Sequence, residues 1–155
     1  MAVTSSLPTL SRWDAHWQDD NACRLFPVKT AIDTSDAPTA IGPYSQAIRA
    51  GDFVFVSGQI PINPSSGQIV GDDLAAQVEQ VMRNLGAVLA AAGCDFRDVA
   101  KTTIYLVDLA HFATVNATYA RFFEAPYPAR ATVQVAALPR GVQVEIDAIA
   151  VAPHR

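Results

Sequence analysis

The stretch "VQVEIDAIAV", residues 142 to 151, constrains the fold of this chain more than any other. Side chains of an extended strand point alternately to opposite faces. Here both alternating sets contain apolar residues, Val144 and Ile146 in one and Ile149 and Val151 in the other. A strand that is apolar on both faces needs cover on both. The chain must therefore build a sheet with one layer beneath it and find a second layer above it.

The remaining sequence offers material for only one such layer. "AIRAGDFVFVSGQI" (47–60) holds short β-type runs around Gly51-Asp52, a pair suited to a hairpin turn. "GQIPINPSSGQIVGDD" (58–73) is rich in Gly, Pro and Ser and reads as loop. A helix follows, with Leu74, Val78, Val81, Met82, Leu85, Val88 and Leu89 on one stripe, an Asp at its start and Gly93 where a C-cap belongs. "VAKTTIYLV" (99–107) is β-branched and aromatic, hence a strand. A second helix is expected from Asp108, burying Leu109, Phe112, Val115, Tyr119, Phe122 and Phe123, until "APYPA" breaks it. "PARATVQVAALPRGVQVEIDAIAV" (128–151) then reads as a closing hairpin turning at Pro139-Arg140-Gly141. The order is β-β-α-β-α-β-β. Two helices for about five strands cover one face of a mixed sheet, an α+β layer. No helix is left for the other face. Another copy of the chain is the simplest cover, so a homo-oligomer is expected.

A length of 155 residues suits one domain, and a chain half apolar and 17% charged can bury a substantial core. The formal charge of −4 comes without any Lys/Arg cluster, which argues against a nucleic-acid surface. Cys23 and Cys94 match no metal or redox spacing and fit a reducing compartment. No apolar run approaches the ~20 residues that span a bilayer, and no secretory signal leads the chain. The early Ser and Thr residues resemble an organellar transit peptide, but Asp14, Asp19 and Asp20 oppose that, so the cytosol is expected and organellar import is the alternative. Residues 1–30 stand apart as an N-terminal extension ahead of a domain at 31–155. Trp13 and Trp17 follow a possible cap at Ser11 at helical spacing, so a short amphipathic turn there could dock on the body.

Two charged residues in the last segment are not called for by packing. Arg130 stands at the mouth of a strand, where its planar fork could hold a carboxylate by two parallel hydrogen bonds; it could equally be a surface arginine whose stem covers apolar area. Glu145 shares a polar set with Gln143 and Asp147, either a solvated outer face or, under a subunit interface, a desolvated carboxyl suited to proton transfer. If position 138 pairs with 142, Arg130 falls opposite 150, about 17 Å from Glu145 along the strand. Bending or a subunit junction would then have to bring them together, and the two-sided strand favours the junction. Asn116 lies near the apolar stripe of the second helix and either bonds a backbone edge or faces a polar cleft. Tyr44 follows a Gly-Pro turn and points into a site or into solvent. Ser57 and Gly58 close a strand, where glycine permits close approach of a ligand or forms a turn. His16, His111 and His154 have no metal-ligand spacing, and no nucleophile elbow, Walker loop or dinucleotide fingerprint occurs.

"GPYSQA", "SGQIP", "TVNATY", "PARATVQVAALPRG" and "VEIDAIAV" together resemble, in order and spacing, the signatures of the RidA (YjgF) family over about residues 31 to 152. The resemblance implies a chorismate-mutase-like α+β fold with two helices on one face of a mixed sheet, assembled as a homotrimer with clefts between subunits. It implies hydrolytic deamination of reactive 2-imino acids, such as 2-iminobutanoate and 2-iminopropanoate, to 2-oxo acids and ammonia, with neither metal nor cofactor. By the same resemblance Arg130 grips the substrate carboxylate and Glu145 positions or activates water. Tyr44, Asn116, Ser57 and Gly58 line the cleft, and Thr132 takes a place where some members carry cysteine. Two rivals follow from the same family: an endoribonuclease or translation inhibitor, and a non-catalytic carboxylate-binding or chaperone-like trimer.

Overall fold

The computed structural model describes residues 29–153. The expectations for Ser11, Trp13, Trp17, His16, Cys23 and His154 lie outside the described residues. Among the described residues six strands and two α-helices follow the order β-β-β-α-β-α-β-β, so a short first strand precedes the five expected. They are β1 (Thr30–Ile32), β2 (Ala47–Ala50), β3 (Phe53–Gln59), α1 (Leu74–Ala91), β4 (Val99–Leu106), α2 (Phe112–Tyr119), β5 (Ala129–Gln134) and β6 (Val144–Val151). One sheet takes all six strands in the order β1-β2-β3-β6-β4-β5. Every neighbouring pair is antiparallel except β4 and β5. The α+β mixed sheet expected from the sequence is the fold observed.

Local chemistry explains the elements read correctly. Gly51 takes a φ of 60° in the turn between β2 and β3, a conformation that favours glycine. The Asp73 carboxylate accepts the Ala76 N–H at 2.8 Å and so caps the start of α1. At the other end Gly93, at φ 74°, lets its own N–H reach Ala90 O and the Cys94 N–H reach Leu89 O, both at 2.9 Å. The stripe of α1 from Leu74 to Leu89 is buried throughout. It packs on β3 and β6, with α2 beside it. Beneath lie Val54, Val56, Thr102, Ile104, Leu106, Val144, Ile146 and Ala148, the alternate set of each strand. Each buried Val, Leu or Ile contributes about 1.5–3 kcal/mol relative to leaving it exposed.

The sheet's other face is open. Phe53 and Phe55 remain 49% and 45% exposed, with Val151 exposed opposite Phe53, Ile149 half-buried opposite Phe55, and Val133 exposed across the sheet on β5. This is the second apolar face that the 142–151 stretch called for, and the described residues do not cover it.

Two expectations need correction. The closing hairpin does not form. β4 lies between β5 and β6, pairing parallel with the first and antiparallel with the second. Pro139–Gly141 makes a single 3-10 turn in the long return connection, with Arg140 at φ 57°. Alternation told that both runs were strands but carried no information on their partner. The second helix also starts later than Asp108. A 3-10 turn, Leu109–His111, precedes it, and Leu109 and Phe112 are exposed. Val115, Tyr119 and Phe123 do reach the core, while Phe122 packs partly buried against it.

Candidate active site

Near its end β3 carries an extra residue. Val56 pairs with Ala148 but Gln59 pairs with Ile146, so the strand bulges at Ser57-Gly58. A bulge re-aims side chains and interrupts pairing, and here it clears space for Glu145 on the neighbouring strand. A Cβ built on Gly58 would overlap the Glu145 carboxylate, falling 2.8 Å from its Cδ and 3.0 Å from its Cγ. Glycine at 58 therefore leaves the room that the Glu145 side chain occupies. Gly58 is absent from the positive-φ glycines, so its backbone makes no such demand. Ser57 is fixed by its hydroxyl donating to Ser45 O at 2.7 Å and its N–H donating to Gln46 O at 3.0 Å.

Glu145, Ser57, Gly58 and Tyr44 line one cleft of about 600 Å³. Its walls are mostly apolar, with Ile41, Ile60 and Ile62 among them. Two buried amides hold those walls. Gln46, 2% exposed, takes the Thr34 N–H on its Oε1 and donates its amide to Thr34 O, Ala37 O and Pro38 O. Asn84 on α1 donates to Ile60 O at 3.1 Å and Ile62 O at 2.9 Å.

Arg130 occupies a different place. Its guanidinium donates to Asn116 Oδ1 at 2.7 Å. Its Cζ lies 5.5 Å from the ring centroid of Phe112 and 5.1 Å from that of Tyr119. The Tyr119 hydroxyl is 2.8 Å from Thr102 Oγ1, which fixes the ring from behind. A guanidinium on two aromatic faces gains cation–π stabilisation and keeps its fork oriented. Its other N–H groups have no hydrogen-bond partner among the described residues. Thr132 sits two positions along β5 on the same side, half-buried opposite Ile104.

Arg130 and Glu145 thus belong to separate half-sites of one chain. Arg130 pairs with Thr102, whose side chain is buried on the helix face, whereas Glu145 pairs with Tyr105 on the open face. The two side chains leave the sheet on opposite sides. They are offset by three positions along β4, about 10 Å, and by two strand spacings across it, about another 10 Å. The structure brings Tyr44, Ser57, Gly58 and Glu145 together, and separately brings Arg130, Asn116 and Thr132 together. It does not bring the two groups together within one chain.

Electrostatics distinguish the carboxyl groups. Partial burial, followed by the neighbouring negative charge of Asp147, pushes Glu145 above the ordinary carboxyl value of 4.5. Such a group can hold and release a proton nearer neutrality. Burial likewise raises the Tyr119 phenol, while Thr102 and Arg130 act in the opposite sense.

Sequence reasoning missed three contributors. Arg140 lines the Glu145 cleft and donates to Gly67 O at 3.2 Å, joining the return turn to the 63–68 loop. Its place in "LPRG" identified a turn but not what the turn faces. Gln46 sits inside the "GPYSQA" motif, yet nothing in spacing tells that its amide is buried. Phe112 reads as core by periodicity, and only its pairing with Arg130 explains its exposure. Among the described residues no cluster of three or more His, Cys, Asp or Glu could hold a metal ion.

Comparison with known proteins places this geometry. The profile of the family described as Endoribonuclease L-PSP matches residues 34–152. The chain is 58% identical over 125 residues to protein DfrA of Myxococcus xanthus, covering 79% of this chain and 95% of the relative. It is 51% identical over 124 residues to the 2-iminobutanoate/2-iminopropanoate deaminase of Mus musculus, covering 80% and 92% respectively. The crystal structure of E. coli TdcF with bound serine superposes with a TM-score of 0.77 at 45% identity, covering 80% of this chain and 99% of that one.

Proposed function

The chain belongs to the Endoribonuclease L-PSP family, the RidA family that its motifs resemble, and from that premise we propose that it hydrolyses reactive 2-imino acids to 2-oxo acids and ammonia. 2-Iminobutanoate and 2-iminopropanoate are the substrates the reading names first. The observation that carries it is Arg130, held by two ring faces and Asn116 with the rest of its fork open to receive a carboxylate. Serine, the molecule named with E. coli TdcF, is likewise a small amino-acid carboxylate.

The chemistry asks little of the protein. A protonated imine carbon is already electrophilic, so orientation and proton handling suffice. Arg130 fixes the carboxylate. Glu145 takes a proton from water as its oxygen bonds to C2, giving a carbinolamine. The same proton passes to nitrogen, the C–N bond breaks and ammonia leaves as the C=O forms, the hydroxyl proton passing to Glu145 and from there to solvent. Tyr44, Ser57, Gly58 and Asn116 bound the pose, and Thr132 stands beside the fork.

Because Arg130 and Glu145 leave opposite faces of one sheet, this scheme needs a second copy to unite them. The uncovered apolar face around Phe53, Phe55, Val133 and Val151 supports such an assembly. The family resemblance supports a homotrimer as that assembly, with residues 31–155 as the proposed unit. The buried free thiol of Cys94 suits a cytosolic, reducing compartment. No helix among the described residues is long and apolar enough to cross a membrane.

The test generates 2-iminobutanoate with a pyridoxal-phosphate dehydratase and follows its decay with and without this protein. Faster release of 2-oxobutanoate and ammonia is expected. Binding of 2-oxobutanoate with no acceleration would select the non-catalytic carboxylate binder instead. RNA cleavage that survives Arg130→Ala would select the ribonuclease.

A further inference from the structure

Beside the Glu145 half-site lies a second carboxylate that the reaction as written does not use. Asp147 is two positions along β6 on the same open face, and β4 clamps it from the side. Its Oδ1 accepts the Thr103 N–H at 3.0 Å, and its Oδ2 accepts the Tyr105 hydroxyl at 2.9 Å. Tyr105 is the cross-strand partner of Glu145, so its ring spans diagonally from Glu145 to Asp147. We propose that Asp147 is a positioning residue for the reaction: clamped by Thr103 and Tyr105 on the sheet face that carries Glu145, its carboxylate sets the charge environment in which Glu145 handles its proton.

Three observations support this. A free aspartate could turn away from a like charge into solvent, but two hydrogen bonds from one strand deny Asp147 that freedom. Residues two apart on a strand stand about 7 Å apart, close enough for a unit charge to matter. After burial, the negative charge of Asp147 is what raises the Glu145 carboxyl. Tyr105 faces Glu145 from β4, and Tyr44 and Arg140 share its cleft. β3 contributes Ser57, Gly58 and Gln59 to that cleft, none of them charged. Lys101, further along β4 on the same face, directs its Nζ to Thr103 Oγ1 at 3.0 Å.

The inference rests on reading Glu145 as the proton carrier, so its test begins with a measurement that needs no turnover. The Glu145 side-chain carboxyl carbon is followed by 13C NMR against pH in the full-length protein, assigned by its absence in Glu145→Gln. Asp147→Asn should lower the midpoint by about one pH unit, the effect of a charge ~7 Å away at an effective dielectric constant near 30. Tyr105→Phe keeps the charge but removes one of the two hydrogen bonds that hold it, and should lower the midpoint by less than Asp147→Asn does. If Asp147→Asn does not fold, Asp147→Ser removes the same charge and should give the same fall. An unchanged midpoint in a folded neutral variant overturns the proposal. The limb of the kcat/KM profile set by Glu145 should move down with the midpoint. A shifted midpoint in a protein that does not accelerate imine decay upholds the electrostatic coupling and ends the functional reading instead.

Discussion

Gly58→Ala separates the site from the fold more cleanly than any other single change. The added methyl would lie 2.8 Å from Glu145 Cδ and 3.0 Å from its Cγ and would overlap the carboxylate. The obstacle is the end of a flexible side chain, so the fold can absorb the methyl by rotating Glu145 out of its place. Gly58 has no positive φ, so alanine brings no backbone strain. The cost to stability should therefore stay within about 1 kcal/mol, a shift of a few degrees in Tm for a domain of this size. A displacement of about 1 Å in a catalytic group costs on the order of 100-fold in rate, or about 2.7 kcal/mol of barrier. The assay is kcat/KM for 2-iminobutanoate hydrolysis beside a thermal melt of the same preparation. Full activity in a folded Gly58→Ala protein would refute the reasoning, because Glu145 would then work equally well from another position.

Two further predictions concern the charged pair. Arg130→Lys should lower kcat/KM by about 100-fold or more with little change in Tm, since a point charge cannot reproduce the planar fork or its seat on Phe112 and Tyr119; steady-state kinetics check it. Glu145→Gln should abolish turnover yet stabilise the protein above the ordinary carboxyl value of 4.5. The folded protein binds the Glu145 proton more tightly than the unfolded chain does, so that contribution is complete below 4.5 and is lost as pH rises through the raised folded value. Denaturant unfolding from about pH 4 to about pH 8 should show the variant's margin over wild type growing with pH; a margin that shrinks would contradict the raised value.

How much could be read beforehand depended on the range of the forces involved. The stripe of α1, its Asp73 cap and the Gly93 stop are local and were legible, because they depend on residues within one helix. The β2–β3 hairpin announced itself through Gly51 and the runs around it. The two-sided character of β6 agrees with the apolar sheet face that the described residues leave exposed. Strand partnership was not legible. β5 and β6 look like a hairpin because a short turn separates two alternating runs, yet β4, from earlier in the chain, inserts between them. The same long-range choice decides which face Arg130 shares, so the separation of Arg130 from Glu145 could be suspected but not located. Asn116 was singled out as odd on its helix, but its partner, Arg130, lies 14 residues away and became visible only through the fold. Gly58 was noticed as well, and only the register shift in β3 revealed that its missing side chain makes room for Glu145.

Mixing two inactive chains tests the division of labour most directly. Arg130→Ala and Glu145→Gln proteins, unfolded together and refolded at equal concentration, should form mixed assemblies if the proposed oligomer holds. If each working site draws its guanidinium from one chain and its carboxyl from a neighbour, about one site in four regains both groups, and roughly a quarter of wild-type turnover should return. No recovery, in mixtures shown to contain both chains, would mean that a single chain supplies both groups and that the two half-sites have been wrongly assigned.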